Sequence, residues 1–342
     1  MQDVADAAQV SKTAVSLAFN DSSRLSDATL RHILDIASEL GYAQDPAARM
    51  LRTRRTNSLG LLLPQQLDKV LENPYYTQFL QGIGRTCHQE GFTLLLAPPL
   101  RGSMLKSIPY AAVDGFIVSG LEFDRGEVSA LRQRAIPFVL VDSEPQEGVP
   151  SVEIDESEGM REVVAHLLDL GHRRIGFLAL ETGIEGGPSQ WHGPMKRRIE
   201  GARTALETAG LDLESEGIRV LEVPCTREGG VAGFRELWGA DERPTALVAF
   251  SDIIALGALD AARAAGVGVP TQLSITGFDD LSSAALARPS LTTVRQPIES
   301  KGRLAAEFLV ESIAAGGTSR PHQQQLHTTL LVRESSGPPP AV

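Results

Sequence analysis

Cysteine is nearly absent from this chain of 342 residues, which has only Cys87 and Cys225 and no CxxC pair. Such a sequence has no disulfide framework and suits a reducing compartment. It also lacks an uninterrupted apolar run of about 20 residues, the length that a membrane-spanning helix needs. The opening segment, MQDVADAAQVSK, has no basic stretch followed by an apolar one, as a secretory signal would. We therefore expect a globular protein of the cytoplasm that has no membrane association.

Motifs of catalysis and of metal binding are missing as well. The segment QGIGRT holds Gly82 and Gly84 but lies in a helical stretch and lacks the third glycine of a dinucleotide-binding turn. Neither GxxxxGK[ST] nor GxSxG occurs. The seven histidines have no metal-ligand spacing, and we interpret His172 in LGHRRIG as a structural turn residue rather than a base. We therefore expect no catalytic residue, no metal site and no cofactor.

Charge is distributed unevenly along the chain. The net charge of −11 by itself disfavours nucleic acid, because phosphate contacts need Lys and Arg. Residues 1–58 nevertheless balance a similar number of acids with these basic residues: Lys12, Arg24, Arg31, Arg49, Arg52, Arg54 and Arg55. Nearly all of the excess negative charge lies beyond them. The amino-terminal segment is therefore the candidate DNA-binding face.

Three short amphipathic helices are predicted at the start of the chain, at about 2–8, 11–18 and 26–40. Apolar residues at helical spacing predict one small core: Val4, Ala7, Val10, Val15, Leu17, Phe19, Leu30, Ile33, Leu34, Ala37 and Leu40. Ser11 and Ser26 are placed to cap the second and third helices, and Gly41 is placed to end the third. A helix, a tight turn at 8–10 and a second helix that begins with Ser, Lys and Thr can place a helix N-terminus in the major groove. An ordinary helical hairpin is the alternative, and residues 2–20 by themselves fit both.

Beyond residue 58, strand-like apolar runs alternate with amphipathic helical segments. The runs are LGLLLP, FTLLLAP, DGFIVSG, PFVLVD, RIGFLAL, IRVLEV, ALVAFS and LSITGFD. Continuous apolar strands between helices predict parallel sheets that are covered on both faces. About eight such units exceed the comfortable size of one open sheet. We therefore predict an α/β fold in which a helix-turn-helix domain precedes two doubly wound lobes.

The opening segments VADAAQVSKTAVSLAFN, RLSDATLRHILDIASELGY and PAARMLRTRRTNSLGLLLP together resemble the head of the lactose-repressor (LacI/GalR) family. Later motifs resemble the family's periplasmic-binding-protein-like sensor in the same order: VDGFIVSG, IPFVLVD, DLGHRRIGFLAL, RRIEGARTALETAGL, PTALVAFSDIIALGALDAARAAGVGVP, LSITGFDD, PSLTTVRQP and LVRESS. The resemblance covers essentially the whole chain. It implies a sequence-specific transcriptional repressor that binds double-stranded DNA at a palindromic operator as a homodimer. It also implies that a small-molecule effector, a sugar, binds between the lobes and controls operator affinity.

The resemblance implies a domain order as well. The helix-turn-helix domain spans 1–43, the hinge helix and linker 44–57, and the effector-binding domain 58–342. Lobe 1 takes about 58–154 and 296–325, and lobe 2 about 155–295 and 326–335. Three features depart from the family pattern: Gln9 replaces a turn glycine, Met1 stands so close to the first helix that its usual cap is missing, and the stretch 98–112 is short for a helix.

The family's base-contacting positions fall on Lys12, Thr13 and Leu17. Lys can donate to guanine, Thr can contact a base edge or a thymine methyl, and Leu17 can make only an apolar contact, with core packing as its alternative. The phosphate-contacting positions, which orient the domain without reading sequence, fall on Ser11, Ser16, Asn20, Arg24 and Ser26. For each of these five, plain helix capping or solvation is the alternative.

Residues 46–54 match the family's hinge helix. Leu51 stands at the position of a wedge that enters the minor groove and unstacks a base step, and Arg52 follows it. The alternative is a flexible basic linker over 44–57.

For the sensor, the resemblance places effector contacts at these residues: Tyr75, Tyr76, Asp142, Arg198, Ser251 and Asp279. Carboxylates accept hydrogen bonds from sugar hydroxyls, and a guanidinium can donate two parallel hydrogen bonds. An aromatic ring can pack against the C–H face of a sugar. Capping after a strand is the alternative role for the two aspartates, and Asp252 is the alternative to Ser251. A secreted solute-binding protein would share the sensor but has no use for residues 1–58, and a two-lobed enzyme would need a catalytic base.

Overall fold

A computed structural model describes residues 1–20, 22–42, 50, 55–121, 124, 126–183, 186–316 and 322–341. The chain forms two compact units, residues 1–56 and residues 57–342. None of the helices in the described ranges is long and apolar enough to span a bilayer.

The first unit contains three helices: α1 (Gln2–Ala7), α2 (Lys12–Asn20) and α3 (Asp27–Glu39). Their ends confirm the predicted capping. The Ser11 hydroxyl accepts a hydrogen bond from the Ala14 N–H at 3.1 Å, and the Ser26 hydroxyl accepts one from the Thr29 N–H at 3.2 Å. Gly41 follows α3 with a φ of +60°, the left-handed conformation that ends many helices.

The core of this unit is built from all three helices. Its buried members are Val4, Ala5, Ala8, Val15, Ala18, Ile33 and Ala37. The prediction was wrong for Ala7, Leu34 and Leu40, which are exposed. Leu34 directly follows the buried Ile33, and adjacent residues point about 100° apart around a helix of 3.6 residues per turn. An apolar residue one position off the buried stripe therefore faces outward.

The second unit contains two six-stranded sheets. The first sheet has the order β11-β5-β4-β3-β1-β2 and the second the order β12-β10-β9-β8-β6-β7. The strands are β1 (Ser58–Leu62), β2 (Thr93–Ala97), β3 (Gly115–Ser119), β4 (Phe138–Val141), β5 (Ser151–Ile154), β6 (Ile175–Leu180), β7 (Ile218–Val223), β8 (Ala246–Ala249), β9 (Ser274–Asp279), β10 (Thr292–Arg295), β11 (Gln323–Leu326) and β12 (Thr329–Leu331). All neighbouring strands are parallel except β10 and β12, which are antiparallel.

The helices of this unit alternate with the strands: α4 (Leu67–Glu72), α5 (Pro74–Glu90), α6 (Met104–Ser107), α7 (Glu127–Gln133), α8 (Glu156–Asp169), α9 (Gly193–Thr208), α10 (Arg227–Trp238), α11 (Asp252–Ala264), α12 (Ser282–Leu286) and α13 (Ile298–Ala314). The two doubly wound lobes of the predicted fold class are thereby confirmed. The eight predicted runs became strands, and α6 is short, as the stretch 98–112 indicated.

Chain crossings between the sheets matter for the site. The chain leaves the first sheet after β5, builds the second sheet up to β10, and returns with α13 and β11 to the first. It then adds β12 beside β10 in the second sheet. The segment between β10 and α13, which includes Gln296 and Pro297, is therefore one of the connections between the lobes.

Candidate functional site

One face of α2 carries the side chains that the sequence predicts to contact bases. Lys12 and Thr13 are exposed, and Ser16 and Leu17 follow them by four residues, so all four lie on the same side of the helix. Val15, between them, is buried in the core. Leu17 is half-buried and lies outside that core, so its alternative interpretation as a core residue loses support.

The turn before α2 and two of the predicted phosphate contacts, Ser11 and Ser26, have local structural explanations. Gln9, at the position of the family's glycine, has a φ of +53° and so adopts the left-handed conformation that glycine would adopt freely. Ser11 and Ser26 act as helix caps, Arg24 ends a short 3-10 turn, and Asn20 is the last residue of α2. Leu51 and Arg52 lie outside the described residues.

A cavity of about 490 Å³ lies between the two lobes of the second unit. Its lining includes all six residues predicted to contact an effector: Tyr75, Tyr76, Asp142, Arg198, Ser251 and Asp279. It also includes polar residues that the sequence did not single out: Asn73, Glu127, Glu156 and Gln296. The volume falls within the range of small-molecule sites, and the position agrees with the rule that open α/β sheets bind ligands at the carboxyl ends of their strands.

Two aspartates stand at those strand ends, one in each lobe. Asp142 directly follows β4, and Asp279 is the last residue of β9. Both have a positive φ, +46° for Asp142 and +139° for Asp279, a conformation that L-residues rarely adopt. Backbone outliers of this kind concentrate at ligand sites, which supports a binding role for both carboxylates.

Asp279 is the centre of a hydrogen-bond network in lobe 2. Its Oδ2 accepts from the Ser251 hydroxyl at 2.7 Å and from the Asp252 N–H at 3.3 Å, and its Oδ1 accepts from the Gln296 amide. Because α11 begins at Asp252, the Asp279 carboxylate contributes to the cap of that helix. This is the alternative role that the sequence offered for Asp279. Burial raises the pKa of Asp279, although the charge of Arg198 opposes this.

Asp252, the alternative to Ser251, points into the protein instead. It accepts from the Leu281 N–H at 2.8 Å and from the Thr293 hydroxyl, and it is fully buried. Burial raises its pKa to about 8, and the charge of the neighbouring Asp279 adds to this. Asp252 therefore holds α11, β10 and the start of α12 together and does not line the cavity.

Arg198 is fixed by contacts within lobe 2. Its side chain forms a buried ion pair with Glu156, donates to the Phe250 carbonyl, and lies with its guanidinium carbon 3.8 Å from the ring centre of Phe278. The Arg198 guanidinium thus has partners inside the protein, and Arg198 is also one of the residues that line the cavity. The sequence did not indicate Glu156 because an acidic residue in the first turn of a helix is common for electrostatic reasons alone.

On the lobe 1 side, Tyr75 and Asp142 form a pair. The Tyr75 hydroxyl donates to the Asp142 Oδ2 at 2.7 Å, and the Tyr75 ring packs edge-on against Tyr76 with 5.3 Å between ring centres. Burial raises the pKa of Tyr75 well above its ordinary value, and the charge of Asp142 raises it further. Tyr75 therefore remains protonated at neutral pH, and its hydroxyl is a donor. Lys301 also contacts the same carboxylate oxygen and was missed by the sequence.

Comparison with known proteins places both units in one family. Residues 1–45 match the model described as bacterial regulatory proteins, lacI family, and residues 164–336 match a periplasmic binding protein-like domain. An HTH-type transcriptional regulator of Mycolicibacterium smegmatis is 35% identical over 354 residues, which cover 97% of this chain and 94% of that protein. The chain therefore belongs to the LacI family of bacterial transcription regulators, a family without enzymatic activity, as its motifs predicted.

Solved structures agree with this assignment. A complex of the transcriptional regulator CelR with cellobiose matches with a TM-score of 0.72 and 32% identity, over 97% of this chain and 98% of that one. The lac repressor dimer bound to operator and the anti-inducer ONPF matches with a TM-score of 0.82 and 22% identity, over 98% of both chains. The second likeness supports the fold alone.

Proposed function

We propose that this regulator is a repressor that binds a palindromic operator as a homodimer and releases or retains it according to a sugar bound between its lobes. The observation that carries the proposal is the polar cavity of about 490 Å³, which two strand-end carboxylates, a fixed arginine and two tyrosines line. Carboxylates accept hydrogen bonds from adjacent sugar hydroxyls, a guanidinium donates hydrogen bonds to them, and aromatic rings pack against the apolar face of a sugar. CelR, the relative at 32% identity, is described in complex with cellobiose.

On the DNA side, the exposed first turn of α2 is suited to the major groove. Lys12 and Thr13 would contact base edges, and Leu17 would make an apolar contact, for which a thymine methyl is the available partner. The polar residues around them would bind phosphates and orient the domain: Ser11, Ser16, Asn20, Arg24 and Ser26. Leu51 would act as the minor-groove wedge, and Arg52 would bind the backbone beside it.

A thermal-unfolding screen tests the effector side. Cellobiose, maltose, ribose, glucose and galactose are titrated against the wild-type chain, because a ligand that binds only the folded state raises the Tm by mass action. A sugar that raises the Tm of the wild type should not raise that of Asp279→Asn. The matched control is Asp260→Asn, on the surface of lobe 2 and paired with Arg227, which should respond like the wild type. An equal response of Asp279→Asn would contradict the cleft assignment.

In vitro selection from random duplexes tests the DNA side. The selected sequences should contain two inverted half-sites, since a two-fold symmetric dimer reads a palindrome with one recognition helix per chain. Sedimentation of the protein on a selected duplex should give two chains per DNA. Selected sequences without inverted symmetry, or one chain per duplex at saturation, would contradict the homodimer.

A further inference from the structure

Lys301 is a fully buried lysine on the lobe 1 side of the cleft. Its side chain has no solvent exposure, whereas lysine is rarely buried unless it is paired. It lies in the first turn of α13, immediately after the connection from lobe 2. Burying an ammonium group is unfavourable unless a specific partner compensates for the lost hydration. The contacts of this side chain therefore indicate what it does.

Close helix packing holds Lys301 in place. A Cβ at Gly302 would lie 2.2 Å from the Phe79 carbonyl oxygen of α5, and a Cβ at Gly82 would lie 2.0 Å from the Glu299 carbonyl oxygen of α13. Only glycine allows the two helices to approach so closely at both points. Lys301, adjacent to Gly302, is thereby held against α5, with its Nζ 5.0 Å from the ring centre of Tyr75.

The ammonium group is paired with Asp142. Lys301 and the Tyr75 hydroxyl both donate to Oδ2 of that carboxylate, and Lys301 also donates to the Gln296 side-chain oxygen. The other oxygen, Asp142 Oδ1, is buried and has no hydrogen-bond partner among the described residues. Asp142 lines the cavity, and a buried acceptor without a partner is unfavourable, so a ligand that donates to Oδ1 would be stabilised there.

On the lobe 2 side of the cleft, a cationic side chain is again paired with a carboxylate. Arg198 is the one cationic side chain among the described residues that line the cavity, and it is paired with Glu156. Acidic side chains in the same lining number five: Glu127, Asp142, Glu156, Glu181 and Asp279. Arg198 and Lys301 are thus each matched by a carboxylate. A ligand with a phosphate or carboxylate group would meet no unmatched cation among the described residues that line the cavity.

We propose that Lys301 is a specificity-determining residue, which neutralises Asp142 and so adapts the cleft to an uncharged sugar whose hydroxyl donates to Asp142 Oδ1. The inference rests on the proposed function, because it presumes that the cleft binds a sugar effector. With Lys301 present, the Lys301–Asp142 ion pair has no net charge, and Asp142 acts toward the ligand as a hydrogen-bond acceptor. Without Lys301, the same carboxylate would be an unmatched anion beside the ligand and would favour a cationic one.

Matched ligands and charge variants test this proposal. The ligands are glucose, galactose and cellobiose, the amino sugars glucosamine and galactosamine, and the acids glucuronate and galacturonate. The variants are Lys301→Met, Asp142→Asn and the double variant, with Lys69→Met on the exposed surface of α4 as the matched control. Calorimetry gives each affinity, and circular dichroism establishes that each variant is folded.

The wild type and Lys69→Met should bind a neutral sugar in preference to its amine and its acid. Lys301→Met should shift the preference toward the amino sugar by about tenfold or more, since one unmatched charge in a partly buried site contributes at least 1.4 kcal/mol. Asp142→Asn should shift it toward the acid, and the double variant should restore the neutral preference. If Asp142→Asn does not fold, Lys301→Met and the double variant still decide the question.

Two results would overturn the proposal. The first is a wild type that prefers the acid to its neutral parent, and the second is a Lys301→Met variant that binds the neutral sugar with an unchanged preference over the amine. If no sugar of any charge binds the wild type, the proposed sugar-binding function itself fails, and this inference fails with it.

Discussion

Replacing Arg198 with methionine should destabilise lobe 2 by about 3–5 kcal/mol, because it would leave a buried carboxylate without its partner. The Glu156 side chain is only 1% exposed, and it forms an ion pair with Arg198. The substitution also removes the donor to the Phe250 carbonyl, another buried polar group. An effect of Arg198→Met on effector response therefore cannot be interpreted before its effect on folding is known.

A double variant distinguishes the contribution of the whole ion pair from the cost of leaving one of its charges unpaired. Replacing a buried ion pair with apolar residues of similar volume is often neutral or stabilising, so Arg198→Met with Glu156→Leu should recover most of the lost stability. A surface pair on α8, the helix that also carries Glu156, provides the control. Arg161 and Glu158 on α8 are 42% and 45% exposed, so Arg161→Met should change stability by at most about 1 kcal/mol.

Urea unfolding followed by tryptophan fluorescence measures these effects. Both tryptophans of the chain lie in lobe 2: Trp191 is buried with its ring centre 6.3 Å from that of Phe250, and Trp238 ends α10. The signal therefore reports the lobe that contains the pair. A loss for Arg198→Met no larger than that for Arg161→Met would refute the argument, and so would a double variant as unstable as the single one.

Three further predictions concern DNA and pH. Lys12→Ala should weaken binding to a selected duplex by about 1–3 kcal/mol and relax the preference at one base, which a repeated selection would reveal. Leu51→Ala should reduce operator affinity and DNA bending without changing the salt dependence, whereas Arg52→Ala should lower the salt slope by up to about one; equal bending by wild type and Leu51→Ala would leave 46–54 as a tether only. Burial raises the pKa of Asp252 to about 8, so the folded chain keeps a proton that the unfolded chain loses above pH about 4. Stability should therefore fall as pH rises from about 4 to about 8, and Asp252→Asn should flatten this fall in urea titrations at several pH values; identical slopes would contradict the assignment.

Much of the architecture could be predicted because buried parallel strands are continuous apolar runs. The four strands that the sequence did not predict lack this signal: β5 is SVEI, β10 is TTVR, β11 is QQQL and β12 is TLL. All four carry polar or charged residues, and β12 has only three residues. Such strands form because neighbouring strands supply hydrogen-bond partners, which local patterns do not record.

The candidate site likewise contains residues that the sequence could predict and residues that it could not. Family motifs located Asp142, Arg198 and Asp279, which stand at strand ends or in a recognisable helix. Their partners Glu156 and Lys301 lie in the first turns of helices, where charged residues usually face solvent. Only the approach of α13 to α5 reveals that Lys301 is buried, and that approach depends on contacts between residues far apart in the chain.

In the proposed function, a ligand in the cleft controls DNA binding by the helix-turn-helix unit. The most direct test is the affinity for a selected duplex, measured by fluorescence anisotropy with and without a saturating sugar that raises the Tm. We expect the Kd to change by about 5- to 150-fold, the usual range of allosteric coupling. A sugar that binds the cleft and leaves the Kd unchanged would contradict it, as would a chain that binds all duplex sequences equally.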